Sequence, residues 1–168
     1  MVRGLNLGCG NNKKDNEFGI DICKESKADF IFDLNKNIPK KFYNKFDVVK
    51  SEMVLDHMGN PLIFLESCYL CLKKEGVLNL IIDNGDYWRY HFGFGCYHAT
   101  LLSVDNYTDE RDHKMMFQLE HIKRLLRLCK FKDIKAEYFR DYKFPRGHVD
   151  YLLPEHLGKN MIRISCKK

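Results

Sequence analysis

The sequence lacks an apolar stretch long enough to cross a bilayer. Its longest apolar run, GVLNLIID at residues 76–83, is far shorter than the about 20 residues that a membrane-spanning helix needs. The first residues, MVRGLNLGCG, hold no apolar core of a secretion signal. Low-complexity tracts and internal repeats are also absent. We therefore expect a cytoplasmic protein that does not associate with a membrane.

Cysteine is present in an odd number, seven. Without an export signal, this favours reduced thiols over a disulfide framework. Cys68 and Cys71 form a C-x-x-C without a second pair, inside an apolar helical stripe, so core thiols are favoured over a zinc site. The remaining candidates also lack the short paired spacing of zinc ligands, and no metal is expected; they are His91, Cys96, His98, His113 and His121.

Size and charge indicate an ordinary globular domain. The chain has 168 residues, 45% of them hydrophobic and 30% charged, which predicts one domain spanning residues 1–168. The net charge is +5, but the lysines are scattered among acidic residues. This favours a solvated surface over a nucleic-acid patch, although nucleic acid stays open as a partner.

Strand and helix patterns alternate along the chain and predict an α/β fold. We predict strands at 2–7, 17–22, 28–34, 45–52, 76–83, 133–144 and 161–168, and helices at 61–73 and 115–130. The apolar run at 76–83 predicts a strand buried on both faces. The first helix should bury the stripe formed by Leu62, Leu65, Tyr69 and Leu72.

The connections in the first half are too short for crossover helices, which need ten or more residues. We therefore expect loops or single turns there. Near the C-terminal end, the order of elements suggests that the last strand runs antiparallel to the others.

Two glycines and two acids point to a nucleoside site. Gly8 and Gly10 follow the first strand, and glycine there permits a sharp turn and close approach of a ligand. Asp21 ends the second strand, where an acid accepts hydrogen bonds from ribose hydroxyls; Asp33 ends the third. A dinucleotide site needs a further glycine at the position of Lys13, and no Walker lysine motif occurs. A nucleoside without phosphates fits better.

These segments resemble, in order, the motifs of class I S-adenosylmethionine-dependent methyltransferases, in particular the small branch with a shortened first helix. The motifs are LNLGCGNN, GIDI, DFIFDL, FDVVKSEMVLDHM, CLKKEGVLNLIID and LEHIKRLLRLCKFKDIKAEYF. The resemblance is strong over residues 2–83 and looser over 115–166. It implies a Rossmann-like, doubly wound and mostly parallel seven-stranded sheet with an antiparallel last strand. It also implies S-adenosylmethionine as the cofactor and S-adenosylhomocysteine as its product.

By this resemblance, the cofactor's methionine part lies at the glycine turn, its ribose at the end of the second strand, its adenine at the third and its sulfonium after the fourth. The residues implied are Gly8, Cys9 and Gly10, then Asp21 and Ile22, then Asp33 and Leu34, and finally Ser51 and Glu52. Two departures concern affinity. Asn6 stands where the family often has Asp, and Asn12 stands near the position of a usual third glycine.

Methyl transfer from a sulfonium requires alignment and exclusion of water, and requires a base only if the acceptor must lose a proton early. His57 and Asp83 are the candidate catalytic residues. Each also has a simpler interpretation, His57 as a packing residue at a helix start and Asp83 as a turn or cap residue. Residues 84–114 are predicted as a lid or acceptor-side insertion. Their aromatic-rich stretch DYWRYHFGFGCYH forms either that lid or a packed cap.

The acceptor is not identified by the sequence. SEMV follows the fourth strand, so the Asn-Pro-Pro-Tyr motif for exocyclic amino groups of bases and the Pro-Cys nucleophile for cytosine are both missing. A small molecule is favoured; a protein side chain or another RNA position stays open. The alternative functions are a non-catalytic binding or scaffold protein with this sheet and, more distantly, a nicotinamide oxidoreductase.

Overall fold

A computed structural model of the chain describes residues 4–87, 115–140 and 158–168. These residues form one seven-stranded sheet in the order β3-β2-β1-β4-β5-β7-β6. Its strands are β1 (Gly4–Leu7), β2 (Glu17–Asp21), β3 (Phe30–Ile31), β4 (Phe46–Glu52), β5 (Leu72–Asp83), β6 (Lys132–Phe139) and β7 (Met161–Lys167). Strands β1 to β5 pair in parallel, and β7 pairs antiparallel with both β5 and β6. The predicted sheet with an antiparallel last strand is confirmed.

Two α-helices lie wholly within the described residues, α1 (Pro61–Cys71) and α2 (Leu119–Leu128). Helix α1 begins where the Asn60 side chain accepts hydrogen bonds from two backbone N–H groups of the first turn. The predicted stripe of α1 is partly wrong, because Leu62 is exposed while Phe64, Cys68 and Cys71 are buried. The apolar residues of this helix are distributed around its whole circumference, so their spacing alone does not identify the face that packs on the sheet.

The first half of the fold is shortened as predicted. Between β1 and β4 the connections contain one short 3-10 turn, Lys40–Phe42, and no α-helix. The ammonium of Lys13 lies 2.6 Å from Asp29 Oδ1, and Asp29 Oδ2 accepts the Gly19 N–H at 2.7 Å. The stem of Lys13 covers Gly19 so closely that an added Cβ would lie 2.8 Å from Lys13 Cδ. A lysine side chain thus covers a strand position that a crossover helix would otherwise cover.

Both helices contact each other, α1 packs on β4 and β5, and α2 packs on β6. On the other face the sheet is more polar: Lys50 pairs with Glu17, and Asn79 is exposed. The prediction that β5 is buried on both faces is therefore wrong. Its burial alternates, because the described helices cover only one side.

Several strand and helix bounds differ from the prediction; for example, β6 ends at Phe139 instead of residue 144. Strand β3 has two residues instead of seven, and α2 begins at Leu119 instead of Met115. Strand β5 begins directly after α1 at Leu72, and residues 73–76 leave the pairing with β4 before it resumes at Val77. No described helix is long and apolar enough to span a membrane.

The predicted insertion at residues 84–114 lies outside the described residues from residue 88 onward. His91, Cys96, His98 and His113 lie there too. The lid or acceptor-side role of this segment stays a prediction, as does the prediction of a single domain over residues 1–168.

Candidate functional site

A cavity of about 230 Å³ lies at the carboxyl ends of β1, β2 and β4. In a parallel sheet this edge is the usual position of a ligand. Its volume is below the about 300–1,000 Å³ typical of pockets for larger organic ligands. Its wall consists of Gly8, Gly10, Asp21, Ile22, Asp33, Leu34, Asn35, Met53, Val54, His57 and Met58. The two glycines and two acids predicted from the sequence therefore line one cavity.

The glycine turn has two positions with different requirements. Gly8 has φ +70°, and a Cβ added there would lie 2.2 Å from Val54 Cγ2. Gly10 has φ +47°, but an added Cβ would meet nothing within 4 Å. Gly8 is therefore required for the close approach of β1 to the segment after β4. Gly10 leaves open space beside its backbone.

Asp21 is fixed in the cavity wall by two backbone groups. Its Oδ2 accepts the Gly10 N–H at 2.7 Å, and its Oδ1 accepts the Cys23 N–H at 2.9 Å. The residue is only 9% exposed. Each carboxylate oxygen has a second lone pair, so an oriented acceptor remains available to a hydroxyl-bearing ligand.

Asp33 supplies a second carboxylate. Burial raises its pKa, but hydrogen bonds from the backbone and side chain of Asn35, together with the ammonium of Lys36, outweigh burial and hold the pKa below its ordinary value. Asp33 is therefore ionised at neutral pH. Asn35 also lines the cavity, and its Oδ1 accepts the Gly59 N–H at 2.8 Å. Sequence reasoning missed Asn35, although its position just after Asp33 and Leu34 was a usable signal.

The opposite wall is formed by the segment after β4. Met53 has φ +57°, and its N–H donates to Ile81 O at 2.9 Å. The chain then enters a short 3-10 turn, Leu55–His57. His57, a catalytic candidate from the sequence, lines the cavity together with Met53, Val54 and Met58. These three apolar residues carry no distinctive signal in the sequence, because apolar side chains after a strand are ordinary.

Four predicted site residues lie outside this cavity wall. Cys9 is buried, with its Sγ 2.7 Å from where a Cβ on Gly19 would lie; burial, and next the charge of Asp21, raise its thiol pKa. Ser51 is buried, and its hydroxyl donates to Leu7 O at 2.8 Å. Glu52 is exposed. Asp83 is 2% exposed at the end of β5.

Asn6 also lies outside the cavity wall. Its side-chain amide donates to Glu17 Oε2 at 3.3 Å, and the ammonium of Lys50 lies 2.9 Å from Glu17 Oε1. Asn6 thus belongs to a polar cluster on the sheet.

Among the described residues, no group of three His, Cys, Asp or Glu side chains is placed to hold a metal ion. Cys68 and Cys71, the C-x-x-C pair, are both buried in the hydrophobic core. Burial raises the pKa of the Cys71 thiol to about 12. These thiols pack as apolar groups.

No family model and no curated protein matches this sequence significantly. Solved structures do match. A methyltransferase of Archaeoglobus fulgidus, dependent on S-adenosylmethionine, is 18% identical with a TM-score of 0.63, covering 99% of this chain and 86% of that one. A second one, from Mesorhizobium loti, is 15% identical with a TM-score of 0.67, covering 99% and 90%.

A third match includes the cofactor. Phosphoethanolamine N-methyltransferase 2 of Haemonchus contortus, in complex with S-adenosyl-L-methionine, is 14% identical with a TM-score of 0.64, covering 99% of this chain and 48% of that one. At these identities the comparison shows the fold. Sheet order and structural neighbours agree: the chain has the fold of the class I S-adenosylmethionine-dependent methyltransferases.

Proposed function

We propose that this protein is an S-adenosylmethionine-dependent methyltransferase acting by in-line transfer to an unidentified acceptor, with a small molecule favoured. The observation that carries the proposal is the cavity, where an open glycine backbone and two carboxylates meet at the carboxyl edge of the sheet. In this role Asp21 accepts hydrogen bonds from the ribose, and Asp33 with Leu34 borders the adenine. The absence of a lysine or arginine from the described cavity wall suits a ligand without phosphates.

The donor, when bound, supplies a methyl group already activated by the sulfonium charge. The contribution of the chain is to orient the donor, align the acceptor and exclude water. Asp21 is suited to orientation because two backbone N–H groups fix its carboxylate before any ligand arrives. The carboxylates of Asp21 and Asp33 also place negative charge around a cationic ligand.

Two residues are proposed for proton transfer. His57 lines the cavity and, in its neutral form, accepts a proton from an acceptor that must lose one. Asp83, buried at the end of β5, is the second candidate. His57→Gln should lower kcat while leaving the affinity for S-adenosylhomocysteine within about threefold. An equal loss of affinity would instead assign His57 to the cofactor pocket.

Calorimetric titration with S-adenosylmethionine, S-adenosylhomocysteine and NAD tests the proposal. We expect both sulfur compounds to bind and NAD not to bind. Absence of binding by both would overturn the cofactor assignment. A screen of acceptors with a methyl-labelled donor then identifies the substrate.

The alternative is a non-catalytic binding or scaffold protein that retains this sheet. It is favoured by one observation: Asn6, at a position where the family often places a charge, contacts Glu17 and is not part of the cavity wall. Cofactor affinity without methyl transfer to any screened acceptor, together with a stable partner, would favour this alternative.

A further inference from the structure

Asp56 is a fully buried carboxyl group directly behind the cavity wall. It is 0% exposed and lies within the 3-10 turn Leu55–His57. Its sequence neighbours Val54, His57 and Met58 line the cavity, whereas Asp56 does not. The Asp56 side chain is therefore buried behind the wall, in a turn whose last residue, His57, lines the cavity.

Asp56 connects this turn to two other parts of the fold. Its Oδ2 accepts the backbone N–H of Asp83 at 3.4 Å, and its backbone oxygen accepts the N–H of Met115 at 3.0 Å. The ladder between β4 and β5 ends at this point, because Met53 donates to Ile81 O and then turns away with φ +57°. The carboxyl group therefore takes the place of a backbone acceptor at the last residue of β5.

One oxygen of the Asp56 carboxyl group lacks a hydrogen-bond partner within the part of the chain that the structure describes, and the charge of a second acidic residue acts on the group. Asp56 Oδ1 is buried without a hydrogen-bond partner among the described residues. Burial, and next the charge of Asp83 on β5, raise the pKa of Asp56 well above its ordinary value. A proton on Oδ1 avoids a second buried charge and leaves Oδ2 able to accept the Asp83 N–H.

We propose that Asp56 is a positioning residue whose uncharged carboxyl group holds the turn Leu55–His57 against the end of β5, and so fixes the wall of the cavity that carries His57 and Met58. Loss of the proton places two negative charges side by side in the interior and releases this wall. The part of the proposal that is tested by cofactor affinity rests on the proposed function. The part that is tested by protein stability does not rest on it.

Asp56→Asn and Asp56→Ala separate charge from hydrogen bonding. The amide of Asn is uncharged at all pH values and keeps an oxygen for the Asp83 N–H, whereas Ala removes that acceptor. Asp47→Asn is the matched control, since Asp47 is a half-exposed carboxylate at the surface, 2.8 Å from the ammonium of Lys73. The melting temperature of each protein is measured from about pH 4 to pH 9, and the affinity for S-adenosylhomocysteine at the two ends of the range in which the fold persists.

The raised pKa means that the folded state retains a proton that the unfolded chain has lost. Between about pH 4 and the pKa in the folded state, the wild type should therefore lose stability relative to Asp56→Asn as pH rises. Asp56→Asn should bind S-adenosylhomocysteine within about threefold of the wild type near neutral pH. Asp56→Ala should bind about tenfold more weakly, the loss expected for one buried hydrogen bond. Asp47→Asn retains the Asp56 carboxyl group, so the wild type should show no such loss of stability relative to Asp47→Asn.

Parallel melting profiles of the wild type and Asp56→Asn would overturn the proposal, and so would an Asp56→Ala protein with wild-type affinity. If Asp56→Ala does not fold, the comparison of the wild type with Asp56→Asn still decides. Failure of the wild type to bind S-adenosylhomocysteine would count against the proposed function alone, because the melting profiles need no ligand.

Discussion

Asp21 Oδ2 accepts the backbone N–H of Gly10 at 2.7 Å, so the acid at the end of β2 and the turn after β1 form one unit. The turn would otherwise leave this N–H without a partner at the cavity edge. The same contact orients the carboxylate. Stability and ligand binding are therefore coupled at Asp21, and a test of its role needs a control acid with an equivalent structural contact.

Asp29 provides that control, because it accepts the Gly19 N–H at the same distance, 2.7 Å, and is not part of the cavity wall. Asp21→Ala should lower the affinity for S-adenosylhomocysteine about 10- to 100-fold, as expected for loss of a hydrogen bond to a charged group. Asp29→Ala should lower the melting temperature but leave affinity within about threefold. Calorimetry on both variants measures the difference, and equal affinities would remove Asp21 from the binding site.

Gly8 and Gly10 should respond differently to alanine. Gly8→Ala places a Cβ 2.2 Å from Val54 Cγ2 at a φ of +70°, so overpacking adds to backbone strain and stability should fall by about 2–4 kcal/mol. Gly10→Ala incurs only the strain of positive φ, about 1–2 kcal/mol. Urea unfolding measures both.

The double variant Gly8→Ala/Val54→Ala serves as the control for this pair. The double variant removes the clash between the added Cβ and Val54. Its loss of stability should therefore be smaller than the sum of the losses of Gly8→Ala and Val54→Ala. Equal losses for the two single glycine variants would show that the segment after β4 moves away at little cost.

Glu17 should contribute to stability at neutral pH and lose that contribution in acid. Burial raises its pKa, but hydrogen bonds from the Lys14 N–H and from Lys50 outweigh burial and lower the pKa. The contribution is complete above the unfolded value near 4.5 and disappears as pH falls through the lower folded value. The free energy of unfolding of the wild type should exceed that of Glu17→Gln at pH 7 by up to about 1 kcal/mol. A difference at pH 3 as large as that at pH 7 would contradict this assignment.

The described thiols should differ in reactivity according to burial. Burial raises the pKa of Cys71 and of Cys166 to about 12, whereas Cys23 is exposed. Alkylation of the native protein at pH 8 should modify Cys23 well before Cys71 or Cys166, because the thiolate is the reactive form. Peptide mapping by mass spectrometry follows each site, and Cys23→Ser is the control. Native labelling of Cys71 as fast as that of Cys23 would contradict the buried assignment.

The sheet and the glycines and acids of the cavity wall could be predicted from the sequence, because both depend on local patterns. The Gly8–Gly10 turn, Asp21 and Asp33 each stand at or just after the end of a short strand with apolar residues, and parallel strands bring their carboxyl ends together. The shortened connections also followed from counting residues. These features need no knowledge of how side chains pack.

Tertiary packing determined what the sequence did not reveal. Leu62 and Phe64 are equally apolar in a helix, and only contact with the sheet selects Phe64 for the interior. The burial of Asp56 is invisible in SEMVLDHM, since an Asp after a strand is usually a surface cap. Likewise, the alternating exposure of β5 depends on which side carries the helices.

The pair formed by Lys13 and Asp29 has a consequence for miniaturising doubly wound proteins. A helix after the first strand is dispensable when a charged side chain can lie along the neighbouring strand and be tied at its tip. A shortened version of such a scaffold should therefore keep the Lys13–Asp29 ion pair and the glycine that it covers, Gly19. It does not need a helix-forming sequence at this position. A larger side chain at position 19 would displace the Lys13 side chain and disrupt its ion pair with Asp29.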